Sequence, residues 1–371
     1  MSFPSPVCYL LVLCVFLAAA TCLLYRLLIK KFGLIPQCSD RRKLAHSANY
    51  HHGEFHNLQP TTIFPNNQTQ RLSTKEFLFG NKANRRPAQP LPMQYIDFNS
   101  LNKEEDMVVW LGHSSFFMQL AGKRIVADPV LGHYAAPLPF LNRAFAGDYP
   151  YAAHSMPDLD AIIISHDHWD HLDYATIIAL KDRVNDIICP LGVGSHLRYW
   201  GVEPEKIHEL DWHDNLVIDN LLTVHALPAR HFSGRGMFAK NKTLWASFAF
   251  VTEKRKVFYS GDGGYGEHFA HIGQRFGEFD LAILENGQYD RYWPTIHMMP
   301  EQVACAAVDL RAKALLPVHA GRFSISLHSW DDPYQRLSAA SHQQPYALLT
   351  PMMGEPLPLT SPNRHFPPWW R

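Results

Sequence analysis

Hydrophobic positions along this chain change character twice. From Val7 to Ile29 they run almost unbroken, interrupted mainly by Arg26. That is about 23 residues, enough for a helix to cross a bilayer core of about 30 Å. From Cys38 to about Asp106 polar residues, Pro, Asn and Gln dominate, and apolar periodicity is lost. This stretch predicts a linker and an N-terminal extension draped over the main domain. From Met107 onward, short apolar runs return at regular intervals.

Those runs predict alternating strands and helices. Met107-Val108-Val109-Trp110, Phe116 to Leu120 and Arg124 to Ala127 have strand composition, and Ala121-Gly122-Lys123 breaks the last two as a hairpin turn. Ala161-Ile162-Ile163-Ile164 is continuously apolar, which predicts a strand buried on both faces. Asp173 to Lys181 has helical spacing. Further strands are predicted at Leu216–Ile218, Leu222–Val224, Ser247–Val251, Lys256–Tyr259 and Ala314–Pro317. A helix is predicted from Pro300 to Ala312, with the proline in its first turn. The pattern fits one layered α/β domain without short repeats. The chain thus divides into residues 1–37 (anchor and flank), 38–106 (extension), 107–360 (catalytic domain) and 361–371 (tail). The tail residues Phe366-Pro367-Pro368-Trp369-Trp370-Arg371 suit either a bilayer interface or a disordered end.

Charge changes the picture at the N-terminus. Arg26, Lys30, Lys31, Arg41, Arg42 and Lys43 all follow the apolar run, and no basic residue precedes it. The competing reading, a cleaved signal peptide, needs a basic leading region, so an uncleaved anchor is preferred. The positive-inside rule then places the catalytic domain on the cytoplasmic side. Over the whole chain 34 basic residues balance 34 acidic ones, so no global field draws in nucleic acid. Cys38, Cys189 and Cys305 are too far apart in sequence to suggest a disulfide framework or a thiolate site.

The candidate chemistry lies in Ser165-His166-Asp167-His168-Trp169-Asp170-His171, immediately after the buried strand. His166 and His168 alternate, so in extended backbone they face the same side and can grip one ion. Asp170 and His171 follow and can serve a second. Imidazole plus carboxylate without thiolate suits zinc, iron or manganese. Two ions need further ligands, and three more apolar strands lead into them. These lie at Ala229-Arg230-His231, Gly261-Asp262-Gly263-Gly264 and His319-Ala320-Gly321. His225 competes with His231 but sits inside a strand. The cluster His46, His51, His52 and His56 lies in a breaker-rich stretch and is better explained as a solvated loop.

Together these motifs resemble the metallo-β-lactamase superfamily. More narrowly, they resemble its N-acylphosphatidylethanolamine-hydrolysing phospholipase D branch. Trp110-Leu111-Gly112-His113-Ser114, Ala127-Asp128-Pro129, Glu209-Leu210-Asp211-Trp212 and Pro228-Ala229-Arg230-His231 also carry the likeness, which runs from about Val108 to Leu357. The resemblance implies an α/β fold, the αββα metallo-β-lactamase sandwich, here following an N-terminal transmembrane helix. It implies two Zn2+ ions. His166, His168 and His231 would hold the first, Asp170, His171 and His319 the second, and Asp262 would bridge them. It implies a catalytic part for Asp262 and for His297, beside the metals. Asp128 is expected to orient a ligand, and His113 to be buried and hydrogen-bonded. Glu285 stands where the family reads more apolar and is expected to change the polarity felt by substrate. The segment Ala135 to Leu141 is a candidate wall for an apolar groove.

The implied function is a membrane-anchored, zinc-dependent phospholipase D. It would cleave N-acylphosphatidylethanolamine to N-acylethanolamine and phosphatidic acid, with phospholipid and membrane as partners and a homodimer as a further option. Two alternatives stay open: another hydrolase on the same scaffold, such as a lactonase or soluble phosphodiesterase, and a non-catalytic metal-binding membrane protein.

Overall fold

A computed structural model describes residues 6–64, 84–149, 151–236, 238–360 and 364–371. The alternating apolar runs form two mixed sheets. In chain order the first contains β3 (Met107–Trp110), β4 (Phe116–Leu120), β5 (Lys123–Ala127), β6 (Leu159–Ile163), β7 (Val184–Pro190), β8 (Ile207–Leu210) and β16 (Pro356–Pro358). The second contains β9 (Asn215–Ile218), β10 (Leu222–Leu227), β11 (Ser247–Val251), β12 (Lys256–Tyr259), β13 (Leu281–Glu285), β14 (Ala314–Val318) and β15 (Ala347–Leu348). Their orders are β16-β3-β4-β5-β6-β7-β8 and β15-β14-β13-β12-β11-β10-β9. A two-residue hairpin, β1 (Tyr50–His51) with β2 (Glu54–Phe55), stands apart.

The main core lies between the sheets, where Val109, Phe117, Ile162, Val224, Phe248 and Ile283 are solvent-free. A second apolar layer covers the outer face of the second sheet. There Phe258, Ala282 and Leu315 meet α5 (His268–Phe276), α6 (Pro300–Asp309) and α7 (Asp332–Ala340). On the first sheet's side, α3 (Tyr174–Leu180) and α4 (Gly194–Tyr199) add Ile177, Leu180 and Leu197 to the core. The layering is αββα.

Strands β5 to β8 run parallel, as do β12 to β15. Parallel strands bring their C-terminal ends to one edge, where loops and helix starts gather ligands. The α3 start shows how the chain leaves that edge: Asp173 caps it, accepting from Ala175 N and Thr176 N. The predicted Pro300 helix begins at that proline but ends at Asp309. Strands β7, β8 and β13 and helices α4, α5 and α7 lie outside the elements predicted above.

Several expectations change. The apolar N-terminal run does form α1 (Pro6–Phe32, 27 residues), with Val12, Val15 and Phe16 exposed. Among the described residues, however, no helix is long and apolar enough to cross a membrane, so the expected transmembrane span is unsupported there. Part of that span, including the side chains of Val7 and Leu10, lies outside the described residues. The extension contains α2 (Cys38–Leu44), and its Phe55, Leu91, Ile96 and Phe98 are buried in the core. The aromatic tail packs too. Trp370 stacks on Tyr334, and Trp369 Nε1 donates to Thr350 O at 3.0 Å.

Candidate metal centre

The sheet edge collects the histidines and carboxylates singled out by spacing. His166 and His168 follow β6, and their rings approach at 2.8 Å between Nε2 and Nδ1. His231 follows β10 and brings Nε2 to 3.3 Å from His168 Nδ1. Nitrogen atoms of these three histidines all lie within 4.8 Å of one another. A second group joins Asp170 and His171 with His319, beyond β14, and with His113, beyond β3. Asp262, beyond β12, stands between the groups. Its Oδ2 is 3.0 Å from His171 Nε2, 3.9 Å from His166 Nε2 and 3.8 Å from His231 Nε2, and its Oδ1 is 3.2 Å from His319 Nδ1. His225 stays inside β10 against Phe276, away from this edge.

The donors face one another with few alternative partners. Among the described residues, His171 Nε2, His319 Nε2 and Asp262 Oδ1 are buried and lack a hydrogen-bond partner. Orphaned buried polar atoms are costly, and a divalent cation is the partner this donor set suits. For three of these histidines the protonation state points the same way. Burial, reinforced by neighbouring imidazoles, holds His166, His231 and His319 well below the ordinary histidine range, leaving them neutral as ligands must be. For His171 burial acts in the same direction, but Asp262, Asp170 and Asp128 override it and raise its pKa well above that range. Burial raises Asp262 to about 6 against the pull of His171.

Outer contacts hold the donors in orientation. Asp128 accepts from Ser165 N (2.7 Å), Ser165 Oγ (2.5 Å), His171 Nδ1 (2.6 Å) and Tyr259 OH (2.5 Å). His113 Nε2 donates to Asp170 Oδ2 at 2.9 Å. His231 Nδ1 donates to Ile296 O at 2.9 Å, turning Nε2 inward. Asn57, from the extension, accepts from His231 N at 3.0 Å and donates to His231 O at 2.7 Å. Backbone strain gathers at the same edge: Asp128, His113 and His319 have φ of 40°, 51° and 65°. Gly287 permits the close approach, since a Cβ there would lie 2.1 Å from His319 O.

Two residues occupy places that spacing did not foresee. Glu285 does not touch the substrate side; it is fully buried at the end of β13. Its Oε2 lies 3.0 Å from His297 Nδ1, and its other oxygen accepts from Met298 N. His297 stands near the donors, its ring 5.2 Å from those of His231 and His319. Arg235, 2% exposed, clamps the histidine loop: Nη1 donates to Asp167 O (2.9 Å) and Leu172 O (2.7 Å). Its guanidinium stacks on Trp169 at 3.9 Å, and Nη2 donates to Lys31 O at 2.8 Å, the C-terminal turn of α1. Burial lowers Arg235 to about 10, partly offset by Asp167, so it stays charged at neutral pH. Arg235→Leu should therefore loosen both the metal loop and the foot of α1. We expect a loss of roughly 3 kcal/mol in unfolding free energy, measured by denaturant titration in detergent. A loss below about 0.5 kcal/mol, the range of ordinary surface changes, would show that the clamp is incidental.

A cavity of about 220 Å³ opens onto His168, Asp170, Asp262 and His297. Its apolar walls are Ile63, Phe64, Phe232, Trp293, Ile296 and Ile325. The expected wall segment Ala135 to Leu141 does not line it. Ala135 packs instead with Val130, Ala144 and Phe323, while Phe140 and Leu141 point outward, being 68% and 44% exposed.

An αββα sandwich with this donor set at its edge defines a metal-dependent hydrolase. A protein-family model described as "Beta-lactamase superfamily domain" matches residues 123–320, and the chain belongs to that superfamily. An uncharacterized Mycobacterium tuberculosis protein is 38% identical over 330 residues, 88% of each chain. The N-acyl-phosphatidylethanolamine-hydrolyzing phospholipase D 1 of Caenorhabditis elegans is 29% identical over 245 residues, 63% of this chain and 69% of that one. Among solved structures, an isothiocyanate hydrolase from Delia radicum gut bacteria superposes with a TM-score of 0.54 at 20% identity, covering 68% of this chain and 98% of its own. These likenesses carry neither the membrane contact nor the homodimer expected from the sequence.

Proposed function

We propose that this protein is a membrane-anchored phosphodiesterase of the phospholipase D type. It cleaves N-acylphosphatidylethanolamine to N-acylethanolamine and phosphatidic acid. The observation that carries the reading is the apolar-walled cavity meeting the His/Asp cluster directly, which suits a diester bearing acyl chains. The phospholipase D relative supports it. In this reading the apolar stretch of α1 is the anchor, and the basic residues after it place the catalytic domain on the cytoplasmic face.

His166, His168 and His231 would hold one ion, and Asp170, His171 and His319 a second, with Asp262 shared between them. Two divalent ions, taken here as zinc among the metals this donor set suits, would supply Lewis acidity and lower the pKa of a bound water to about 7. Asp262 Oδ1, buried and without a hydrogen bond among the described residues, accepts the proton of the attacking water. The new bond forms between that water's oxygen and phosphorus, and the bond from phosphorus to the ethanolamine oxygen breaks. Burial keeps the Glu285 carboxyl well above the ordinary range, so its Oε2–H donates to His297 Nδ1 and places the ring proton on Nε2. His297 passes that proton to the leaving oxygen while Glu285 replaces it at Nδ1. Glu285 is thus a positioning residue and proton reserve behind His297.

The test is hydrolysis by the purified full chain in detergent, with products identified by mass spectrometry. N-acylphosphatidylethanolamine should yield the two products, a chelator should abolish the reaction, and added zinc should restore it. Turnover of a lactone, an isothiocyanate or a soluble diester, with the lipid untouched, would replace this reading by another hydrolase of the superfamily.

A further inference from the structure

A second cavity, of about 440 Å³, lies beside the catalytic one and is lined by Arg85, Arg86, Phe140, Asn142, Arg143 and Ser324. No carboxylate is among these residues. Arg86 is committed to the fold: Nη1 donates to Arg143 O at 2.8 Å, Nη2 donates to Ala144 O, and the guanidinium stacks on Phe145 at 5.1 Å. Arg85 is less engaged. Its Nη2 reaches Ile325 O only at 3.4 Å, and its buried Nε has no partner among the described residues. Arg143 is exposed. Burial lowers the pKa of both Arg85 and Arg86; Asp290 opposes this at Arg85, and the neighbouring Arg143 adds to it at Arg86. Three guanidinium groups thus line one cavity, with Asp290 as the acidic neighbour of Arg85, an arrangement that an added anion relieves.

The position of this cavity narrows the anion. Ser324 adjoins Ile325, which walls the metal-facing cavity. Phe140, which lines the same cavity, is 68% exposed, and its neighbour Leu141 is 44% exposed. The same loop is tied to the foot of α1, where Lys31 Nζ donates to Pro137 O at 3.3 Å and to Tyr134 OH at 3.0 Å. The root of the apolar helix, two outward apolar side chains, the arginine cavity and the catalytic mouth are thus linked in sequence along one stretch of surface. A soluble anion has no use for the outward Phe140 and Leu141, whereas a lipid presents a phosphate and acyl chains together.

We propose that Arg85, Arg86 and Arg143 form a binding site, separate from the metal centre, for the phosphate headgroup of an anionic phospholipid. The site seats the catalytic mouth on a negatively charged bilayer surface. Guanidinium forks match phosphate oxygens two at a time, which favours a phosphate-bearing headgroup over a zwitterionic one whose choline covers the charge. The inference rests on the lipid reading of the catalytic site, but its test does not require lipid hydrolysis.

Full-length protein in detergent is titrated calorimetrically with dihexanoyl phosphatidate, dihexanoyl phosphatidylcholine and inorganic phosphate. The double variant Arg85→Ala, Arg143→Ala is compared with the parent; Arg86 is left in place because it supports the loop. Phosphatidate should bind saturably, with affinity falling about tenfold or more in the variant while its unfolding midpoint is kept. Phosphatidylcholine should show no variant-sensitive binding. Equal phosphatidate affinity in parent and variant would overturn the site, since any remaining binding belongs to the metal centre. Inorganic phosphate binding as tightly as phosphatidate would overturn the lipid assignment in favour of a free-anion site. Failure of the hydrolase reading appears separately, as absent product from the lipid substrate.

Discussion

Asp262→Ala is expected to lower hydrolysis by about a thousandfold or more, the largest effect of any single substitution in this protein. The carboxylate lies within 4 Å of four imidazoles, from His166, His171, His231 and His319. Removing it takes away the group shared by both candidate ion positions and the proton acceptor proposed for the attacking water. His168→Ala should fall nearly as far, since it removes one of three nitrogens in the first cluster. Initial rates at saturating substrate, paired with metal content by elemental analysis, separate the two losses. His168→Ala should lose metal and activity together. An Asp262→Ala enzyme that keeps its metals and works within tenfold of the parent would falsify the assigned centre.

Asp128→Ala carries the second largest expectation, although this carboxylate touches neither substrate nor ion in our reading. It is solvent-free and accepts from Ser165 N, Ser165 Oγ, His171 Nδ1 and Tyr259 OH. Alanine would leave these donors buried without an acceptor, at about 1–3 kcal/mol for each group left unsatisfied. It would also place a β-carbon with no polar compensation at φ 40°. A loss of about 4 kcal/mol in stability is expected, together with a fall of roughly tenfold to a hundredfold in metal affinity as His171 loses its orientation. Asp128→Asn should recover part of the stability, since one oxygen still accepts, but not the charge facing His171. Denaturant midpoints with metal titrations measure both quantities. Parent-like values for both would show that His171 is held by something other than Asp128.

These two residues show how far local sequence reaches. Asp262 was legible because an apolar strand leads straight into Gly-Asp-Gly-Gly, a signal confined to a few consecutive residues. Asp128 was legible only by its place after a strand; its side-chain partners come from the loop after β6 and from β12. Glu285, a departure from the family, was expected to change the polarity felt by substrate, yet the fold turns it behind His297. The strand Leu281–Glu285 is buried throughout, so its last side chain had no solvent side to point to. Asn57 and Arg235 gave no local signal at all. Each matters through backbone groups of residues far along the chain, His231 in one case and Asp167, Leu172 and Lys31 in the other.

The sequence by itself determined the α/β class, most strands, the helix start at Pro300 and the identity of the candidate donors. Period, capping and His-x-His spacing are properties of neighbouring residues, and they survive without a fold. Tertiary structure alone decided how those donors meet. Parallel strands from two separate sheets end at one edge, and the bridge between His113 and Ala320 joins the sheets there. It also decided that Asn57 of the extension buttresses His231 and that the aromatic tail packs on the core. It turned Phe140 outward, away from the catalytic cavity. Such choices depend on which surfaces bury one another across more than a hundred residues, and no local pattern encodes that.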